Sequence, residues 1–245
     1  DKPLKVQDLM NVNRDYLEGT RFDLTKGLAA GPFGSPTRYP TGRDQKPENR
    51  KGNDWDRPIS HFRCSYSIVA QVRPNMPEEI AAVTWFGFDQ PHTSVYMPVY
   101  AGTKSLPKSM AVYDRAKFNQ ESTFWAFNFV GNWADLKHSY MIKDIRAKQA
   151  ELENGFFSTL PATDKAFMAK YKAKKTAEGS ELITSYVNAN VNKVHKEWWA
   201  LAWDLVGKYS DGYVIDDKGK ATTVGYPTEW LTEVGFGNND AEPKK

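Results

Sequence analysis

One cysteine and four histidines are the side chains in this sequence best suited to nucleophilic or metal chemistry. A thiol can act as a nucleophile when an imidazole meets it in space, which would pair Cys64 with His61. Cys64, however, opens an apolar run of strand character, where an inert thiol is common, so we interpret it as structural. The histidines show neither H-x-x-x-H nor C-x-x-C spacing; they are His61, His92, His138 and His195. The sequence therefore predicts no zinc site and no catalytic residue within this chain.

Two segments have the character of ligand-binding loops. In Asp89-Gln-Pro-His-Thr-Ser94, polar groups including His92 and Ser94 follow a predicted strand, and a rigid sheet can present such groups to a ligand. The alternative is a plain turn in which Asp89 bonds its own backbone. In Gly31-Pro-Phe-Gly34, followed by Arg38, the glycines allow close backbone approach and the guanidinium can fork onto a carboxylate.

Three parts of the chain would position these segments, with boundaries at 1–58, 59–105 and 106–245. Apolar spacing predicts a helix from Lys5 to about Leu17, ended by Gly19, and then a Gly/Pro-rich loop from Thr20 to Pro58 that packs on the protein in its first half. The second half, 42–56, is polar and expected to be exposed. The middle part predicts an antiparallel meander of three strands beginning at Tyr66, Ala82 and Thr93, apolar enough to be covered on both faces.

The last part is predicted to be helical, with a loose polar tail. One helix is expected from Glu121 to Asn154, ended by Gly155, and another from Glu181 to Lys208. A short Lys-rich helix over 163–175, capped by Thr163 or Asp164, would join them into an antiparallel pair.

Composition narrows the classes of partner. A net charge of +3, with basic residues spread along 245 residues, argues against nucleic acid, and no apolar run approaches the ~20 residues of a membrane helix. One cysteine cannot form an internal disulfide, so the compartment stays open; we favour a periplasmic or secreted location over a cytoplasmic one. Most of the eight tryptophans are expected in the core or in a subunit interface, and an oligomer is expected.

Several segments resemble one known family. They are Tyr16-Leu-Glu-Gly-Thr continuing to Phe22-Asp-Leu-Thr-Lys26, Gly31-Pro-Phe-Gly34, Trp85-Phe-Gly-Phe-Asp89 and Ser94-Val-Tyr-Met-Pro-Val-Tyr100. They are similar to the C-terminal half of the bacterial dipeptidase A and secernin family of cysteine peptidases, in the N-terminal-nucleophile hydrolase superfamily. The resemblance implies an α+β fold: part of a four-layer αββα sandwich of antiparallel strands, with a long-helix C-terminal region.

The resemblance also implies how such an enzyme works. An N-terminal cysteine attacks the peptide, its own α-amino group serves as base, and neither metal nor organic cofactor is needed. That cysteine is expected upstream of Asp1, on an N-terminal half that would be this chain's tightly bound partner. The loop and the hairpin are then expected to bind a small peptide substrate through Gly31, Phe33, Gly34, Arg38, His92 and Ser94.

Two other functions stay open at this point. The chain could be a noncatalytic binding or scaffold subunit that keeps the fold, or it could belong to an amidohydrolase acting on another acyl-amide substrate. The upstream sequence would separate the first alternative from a peptidase, and a panel of substrates would separate the second.

Overall fold

The computed structural model describes residues 3–39 and 57–236. Antiparallel strands and long helices share one hydrophobic core that extends from Met10 to Tyr209, which confirms the predicted α+β class. Within the described ranges, no helix combines the length and apolarity needed to cross a membrane.

The N-terminal helix α1 (Val6–Asn13) is shorter than predicted. It begins where the Asp8 carboxylate accepts a hydrogen bond from the Lys5 backbone N–H at 2.7 Å, and it buries Met10. The Gly/Pro-rich loop that follows contains only a 3₁₀ turn, Leu28–Ala30, between residues 20 and 39, as its many helix breakers predict. The polar second half predicted for this loop, 42–56, lies outside the described residues.

The middle of the chain forms a three-stranded antiparallel sheet in the order β1 (Tyr66–Val72), β2 (Ala82–Phe88) and β3 (Met97–Tyr100). A one-turn helix, α2 (Glu78–Ala81), lies between β1 and β2. Val69 pairs with Trp85, and Trp85 pairs with Pro98. The predicted meander is confirmed, although its third strand begins only at Met97 because a 3₁₀ turn, Pro91–Thr93, occupies the segment before it.

The two faces of this sheet differ. On the inner face, Trp85 stacks on Phe157 at 4.4 Å between ring centroids, and the Tyr100 hydroxyl donates to Asp164 at 2.8 Å. The outer face is also apolar, but β1 leaves it open: Tyr66 is 59% exposed, Ile68 49% and Val72 77%. The prediction that both faces are covered is therefore wrong for the described residues, since strand alternation places these three side chains away from the helices.

Three helices supply the inner layer: α3 (Thr123–Ala134), α4 (His138–Lys172) and α5 (Thr176–Lys208). The predicted single helix over 121–154 is instead broken at Lys137, whose backbone is not helical. The buried Lys137 ammonium donates to the carbonyls of Tyr209 and Tyr213 at 3.0 and 3.1 Å. This tertiary contact has no Gly or Pro signal in the sequence, so the break could not be read from it.

The predicted short helix over 163–175 is wrong, because α4 continues unbroken through Gly155 and Pro161. Its buried face, Leu152, Phe156, Leu160 and Phe167, keeps helical spacing across both residues, and packing against α5 overrides the local breakers. The expected pair of long antiparallel helices is confirmed, with α5 beginning five residues before the predicted Glu181.

The chain ends in small elements that the sequence did not predict. A two-stranded hairpin, β4 (Tyr213–Ile215) with β5 (Ala221–Thr223), follows α5, and a short helix, α6 (Thr228–Glu233), comes after it. The hairpin contacts α5, and Tyr226 contacts the ring of Phe33 at 5.7 Å, so this segment packs on the N-terminal loop.

Two glycines test the packing of α4 against α5. A Cβ at Gly179 would lie 2.9 Å from two ring carbons of Phe167, whereas a Cβ at Gly155 would meet nothing within 4 Å. We expect Gly179→Ala to lower the free energy of unfolding by about 1–2 kcal/mol through overpacking. Gly155→Ala is the matched control and should raise it by about 0.5–1 kcal/mol through helix propensity. Thermal unfolding of both variants checks this, and equal shifts would contradict the close approach.

Candidate functional site

The connection between β2 and β3 is irregular, buried and held by side chains from two helices. Arg14, just after α1, donates from Nε to the Pro91 carbonyl at 3.3 Å and from Nη2 to the Ser94 carbonyl at 3.0 Å. Gln149 on α4 donates to the carbonyls of His92 and Ser94 at 2.9 and 2.8 Å. These bonds replace the ladder bonds that a regular strand would make, so the connection is fixed in position.

A buried ion pair links the two helices at this point. The Arg14 guanidinium forms a two-point contact with the Glu153 carboxylate, with 15% and 10% of the side chains exposed. Glu153 also accepts the Tyr96 backbone N–H at 2.9 Å, and the guanidinium lies 5.0 Å from the centre of the Tyr96 ring. Both charges are therefore paired and hydrogen-bonded, as buried charges need to be.

Two buried histidines lie beside the connection. His92 Nδ1 and its backbone N–H both contact the Ser60 hydroxyl, at 2.8 and 2.9 Å. The ring of His138, at the start of α4, has its centroid 5.7 Å from that of His92, and Tyr16 makes edge contacts with both rings. Burial lowers the pKa of His92 well below its usual value and that of His138 to about 4, so both rings are neutral near pH 7. Nε2 of each has no hydrogen-bond partner among the described residues.

The predicted loop segment packs on the start of α4. Gly31 and Gly34 take positive φ values of 66° and 65°, and the Phe33 carbonyl accepts the Ser139 N–H at 2.9 Å. His138 hydrogen-bonds to the Gly34 backbone, so this histidine contacts both predicted segments, the loop on one side and His92 on the other. The structure thus brings the two segments to opposite sides of one side chain.

The predicted site residues differ in accessibility and contacts. His92 is 4% exposed and Ser94 fully buried, with the Ser94 hydroxyl beside Gly87. Arg38 donates to the carbonyls of Leu24, Ser35 and Thr37, which are contacts that support the loop. Substrate binding by these residues stays a prediction.

Sequence reasoning named Asp89 only as a possible turn residue and missed several other polar groups around the connection. Asp89 has a positive φ of 59°, and burial raises its pKa to about 7; its only side-chain donor among the described residues is Asn128, at 3.3 Å. Asp135 accepts hydrogen bonds from Ser35 and Thr37 at 2.8 and 3.0 Å, and burial raises its pKa as well. Arg14, just after α1, is far in sequence from Gln149 and Glu153, which lie one turn apart on α4, so only the fold reveals that they meet.

Gly131 on α3 permits this arrangement. A Cβ there would lie 2.4 Å from the Gln90 side-chain nitrogen, 3.0 Å from the Thr93 hydroxyl and 3.2 Å from the Asp89 carboxylate. The helix backbone therefore approaches the connection more closely than any side chain would allow.

The geometry also bears on nucleophilic and metal chemistry. Cys64 is half-buried two residues before β1, and burial raises the pKa of its thiol, with the nearby Asp89 carboxylate adding to the effect. Such an environment disfavours the reactive thiolate. In residues 3–39 and 57–236, no group of three or more His, Cys, Asp or Glu side chains is placed to hold a metal ion.

Comparison with known proteins identifies the family. The sequence profile of peptidase family C69 matches residues 1–151. The chain belongs to peptidase family C69. The match confirms the resemblance to dipeptidase A-like proteins drawn from the Tyr16, Gly31 and Trp85 segments.

Individual relatives agree with this assignment. A probable dipeptidase of Salmonella dublin is 38% identical over 101 residues, which cover 41% of this chain and 18% of that protein. A probable dipeptidase A of Streptococcus pyogenes serotype M18 is 25% identical over 145 residues, covering 59% and 26%. A probable dipeptidase B of Streptococcus pyogenes serotype M1 is 22% identical over 197 residues, covering 80% and 35%. The chain thus spans between 18% and 35% of the lengths of these relatives.

The buried His138 predicts a loss of stability in acid. Its pKa is about 4 in the fold against about 6.5 when unfolded, so between these values the unfolded chain binds more protons. The contribution of His138 to stability should therefore fall by up to about 3 kcal/mol as the pH drops from about 6.5 to about 4. His92 acts in the same direction, whereas Asp89, whose pKa is raised to about 7 in the fold, acts in the opposite one. Thermal unfolding against pH measures this. The contribution of His138 is the difference between wild type and His138→Gln, which should lose stability in acid less steeply than wild type by up to that amount. The loop variant His61→Gln should stay closer to the wild-type profile, and a wild-type profile in His138→Gln would contradict the assignment.

Proposed function

We propose that this chain is part of a dipeptidase that hydrolyses short peptides through an N-terminal cysteine located on polypeptide upstream of Asp1. The observation that carries the proposal is the match to peptidase family C69 over residues 1–151. The relatives' names, probable dipeptidase and probable dipeptidase A, support the substrate class. The small share of each relative that this chain covers leaves room for a nucleophile elsewhere in the protein.

The proposed chemistry needs a thiol and an amine on one residue. A free α-amino group with a pKa of about 8 can accept the thiol proton near neutral pH, and the thiolate then attacks the peptide carbonyl. The reaction requires no metal and no organic cofactor. In this proposal the described residues contribute the scaffold and the binding surfaces rather than the nucleophile.

The environment of Cys64 supports an upstream nucleophile. It is the one cysteine in the sequence, it has no α-amino group of its own to act as base, and burial raises its pKa. Within the part of the chain that the structure describes, the His61 imidazole makes no hydrogen bond to the Cys64 thiol; its Nδ1 accepts the Arg63 backbone N–H at 3.1 Å. The raised pKa and the lack of an imidazole partner both favour a structural thiol.

Replacing Cys64 tests this assignment. In the complete enzyme we expect Cys64→Ala to lower the melting temperature slightly and to leave kcat for a dipeptide within a few-fold of wild type. A loss of about 10³-fold or more, with the fold intact by circular dichroism, would place the nucleophile in this chain. No hydrolysis of any dipeptide by the complete wild-type protein would instead favour a noncatalytic subunit or another acyl-amide substrate.

We further propose that the upstream polypeptide covers the outer face of the sheet. This face carries Tyr66, Ile68, Val72 and Phe86, and the stacked rings of Tyr66 and Phe86 lie 5.5 Å apart. A contiguous apolar sheet face needs a second layer, and an αββα sandwich supplies one as a second sheet. The helices of this chain cover the inner face and, where Phe88 packs on Phe127 of α3, one end of the outer face. The part of the outer face around β1 is therefore what lacks a layer in the described residues.

A charge on this face should weaken the association. With the upstream polypeptide and this chain expressed as separate chains, we expect Ile68→Asp to reduce co-purification by about 10-fold or more, since a carboxylate would be buried without a partner. Leu136→Asp, at a side chain 57% exposed in the link before α4, is the matched control and should have no effect. Equal recovery of both variants would argue that the outer face is not the interface.

A further inference from the structure

A cleft of mixed polar and apolar lining lies between α1 and α4, outside the buried connection. Its volume is about 680 Å³, within the range of small-ligand sites. Its lining includes apolar side chains as well as polar ones. The polar ones include Asn11, Asp15, Tyr16, Glu18, Arg146 and Asn154. Its lining also includes Gln149 and Arg14, which hold the Pro91–Ser94 connection, so the cleft shares a wall with the candidate site.

Two charged residues of the cleft lining, Arg14 and Glu153, already have hydrogen-bond partners within the protein. Arg14 uses Nε, Nη1 and Nη2 on Glu153 and on two backbone carbonyls, and Glu153 also accepts the Tyr96 N–H. Neither can turn to a ligand without leaving a buried charge unpaired. Ligand recognition in this cleft would therefore fall to other groups.

Arg146 is held in position by two hydrogen bonds and keeps further N–H donors unbonded. Its Nη2 donates to the Tyr16 hydroxyl and to Glu18, both at 2.7 Å, while Nε and Nη1 make no hydrogen bond within the described residues. Its side chain is 48% exposed, whereas Tyr16 is 2% exposed and packed between the rings of His92 and His138. A buried phenol thus orients an accessible guanidinium.

Glu18 provides the opposite charge, and the backbone sets its direction. The residues on either side have positive φ, 68° at Leu17 and 77° at Gly19, and the turn is closed by the Thr20 hydroxyl donating to the Leu17 carbonyl at 2.7 Å. The Glu18 side chain is 52% exposed, so its ion pair with Arg146 is a surface pair that a ligand can replace at little cost. This turn belongs to the Tyr16-Leu-Glu-Gly-Thr segment, to which the proposed reaction assigns no role.

The charge balance favours a ligand that carries both signs. Asp8, Asp15 and Glu18 line the cleft alongside Arg146, once the neutral Arg14–Glu153 pair is set aside. Three carboxylates against one guanidinium repel a simple anion, whereas a simple cation would leave the unbonded Nε and Nη1 donors of Arg146 without an acceptor. A zwitterion with separated ends satisfies both.

We propose that this cleft binds the free termini of a short peptide, with the α-carboxylate on Arg146 and the α-ammonium facing Glu18. The identity of the ligand as a peptide rests on the proposed function, whereas the preference for a zwitterion rests on the cleft alone. Arg146 and Glu18 are then binding residues, with Tyr16 positioning the guanidinium.

Binding of three matched peptides to the complete protein tests the inference. The probes are alanylalanine, its C-terminal amide and its N-acetyl derivative, measured by titration calorimetry. The cysteine nucleophile is first alkylated with iodoacetamide if the protein turns any of the three over. We expect wild type to bind alanylalanine about 10-fold or more tightly than either derivative, because each derivative loses one charge-assisted contact.

The variants assign each preference to a residue. Arg146→Gln should abolish the preference for the free acid over the amide, Arg146→Lys should restore part of it, and Glu18→Gln should abolish the preference for the free amine. Lys143→Gln, one turn earlier on the exposed side of α4, is the charge-matched control and should change neither.

Three results would overturn the inference: wild type binding all three peptides equally, Arg146→Gln keeping the acid preference, or Arg38→Ala abolishing it while Arg146→Gln does not. Thermal unfolding confirms that each variant is folded. Hydrolysis is scored separately, so a protein that binds zwitterions without cleaving them rejects the proposed function alone.

Discussion

The buried pair of Arg14 and Glu153 holds together parts of the chain that are distant in sequence. It joins the end of α1 to the middle of α4, and both partners reach the backbone of the segment between β2 and β3. Removing either partner would leave a buried charge and free backbone groups without hydrogen bonds, which is far more costly than losing an exposed pair. The irregular path from Asp89 to Tyr96 therefore depends first on this ion pair, with the hydrogen bonds from Gln149 as its second support.

The surroundings of that segment combine features that a purely structural core would avoid. Asp89 has a left-handed backbone and a carboxyl with a raised pKa, and the imidazole Nε2 atoms of His92 and His138 and the Ser94 hydroxyl are buried without partners in the described part of the chain. Local strain and unsatisfied polar groups concentrate at functional sites, where the rest of the fold stabilises them. This is the physical reason to look for function beside the connection, although its own side chains are buried.

Local patterns in the sequence predicted the elements, and long-range contacts decided the rest. Strand-forming residues beginning at Tyr66, Ala82 and Thr93 identified the meander, and apolar spacing identified α5. The break at Lys137 and the continuity of α4 through Pro161 were missed, because the distant carbonyls of Tyr209 and Tyr213 and the packing of α5 determine them. At the candidate site, residues near one another in sequence could be proposed, whereas Arg14, Gln149 and Arg146 come together only through the fold.

The open face of β1 also constrains how the protein is made. An edge strand with an apolar face can pair with a second copy as readily as with its intended neighbour. If the proposed upstream polypeptide and this sheet belong to one chain, the upstream segment is present at an effective concentration on the order of millimolar, whatever the cellular abundance of the protein. Synthesis as two separate chains would remove that advantage and make the outcome a competition between assembly and aggregation. Covalent continuity would then serve this sheet as a kinetic safeguard.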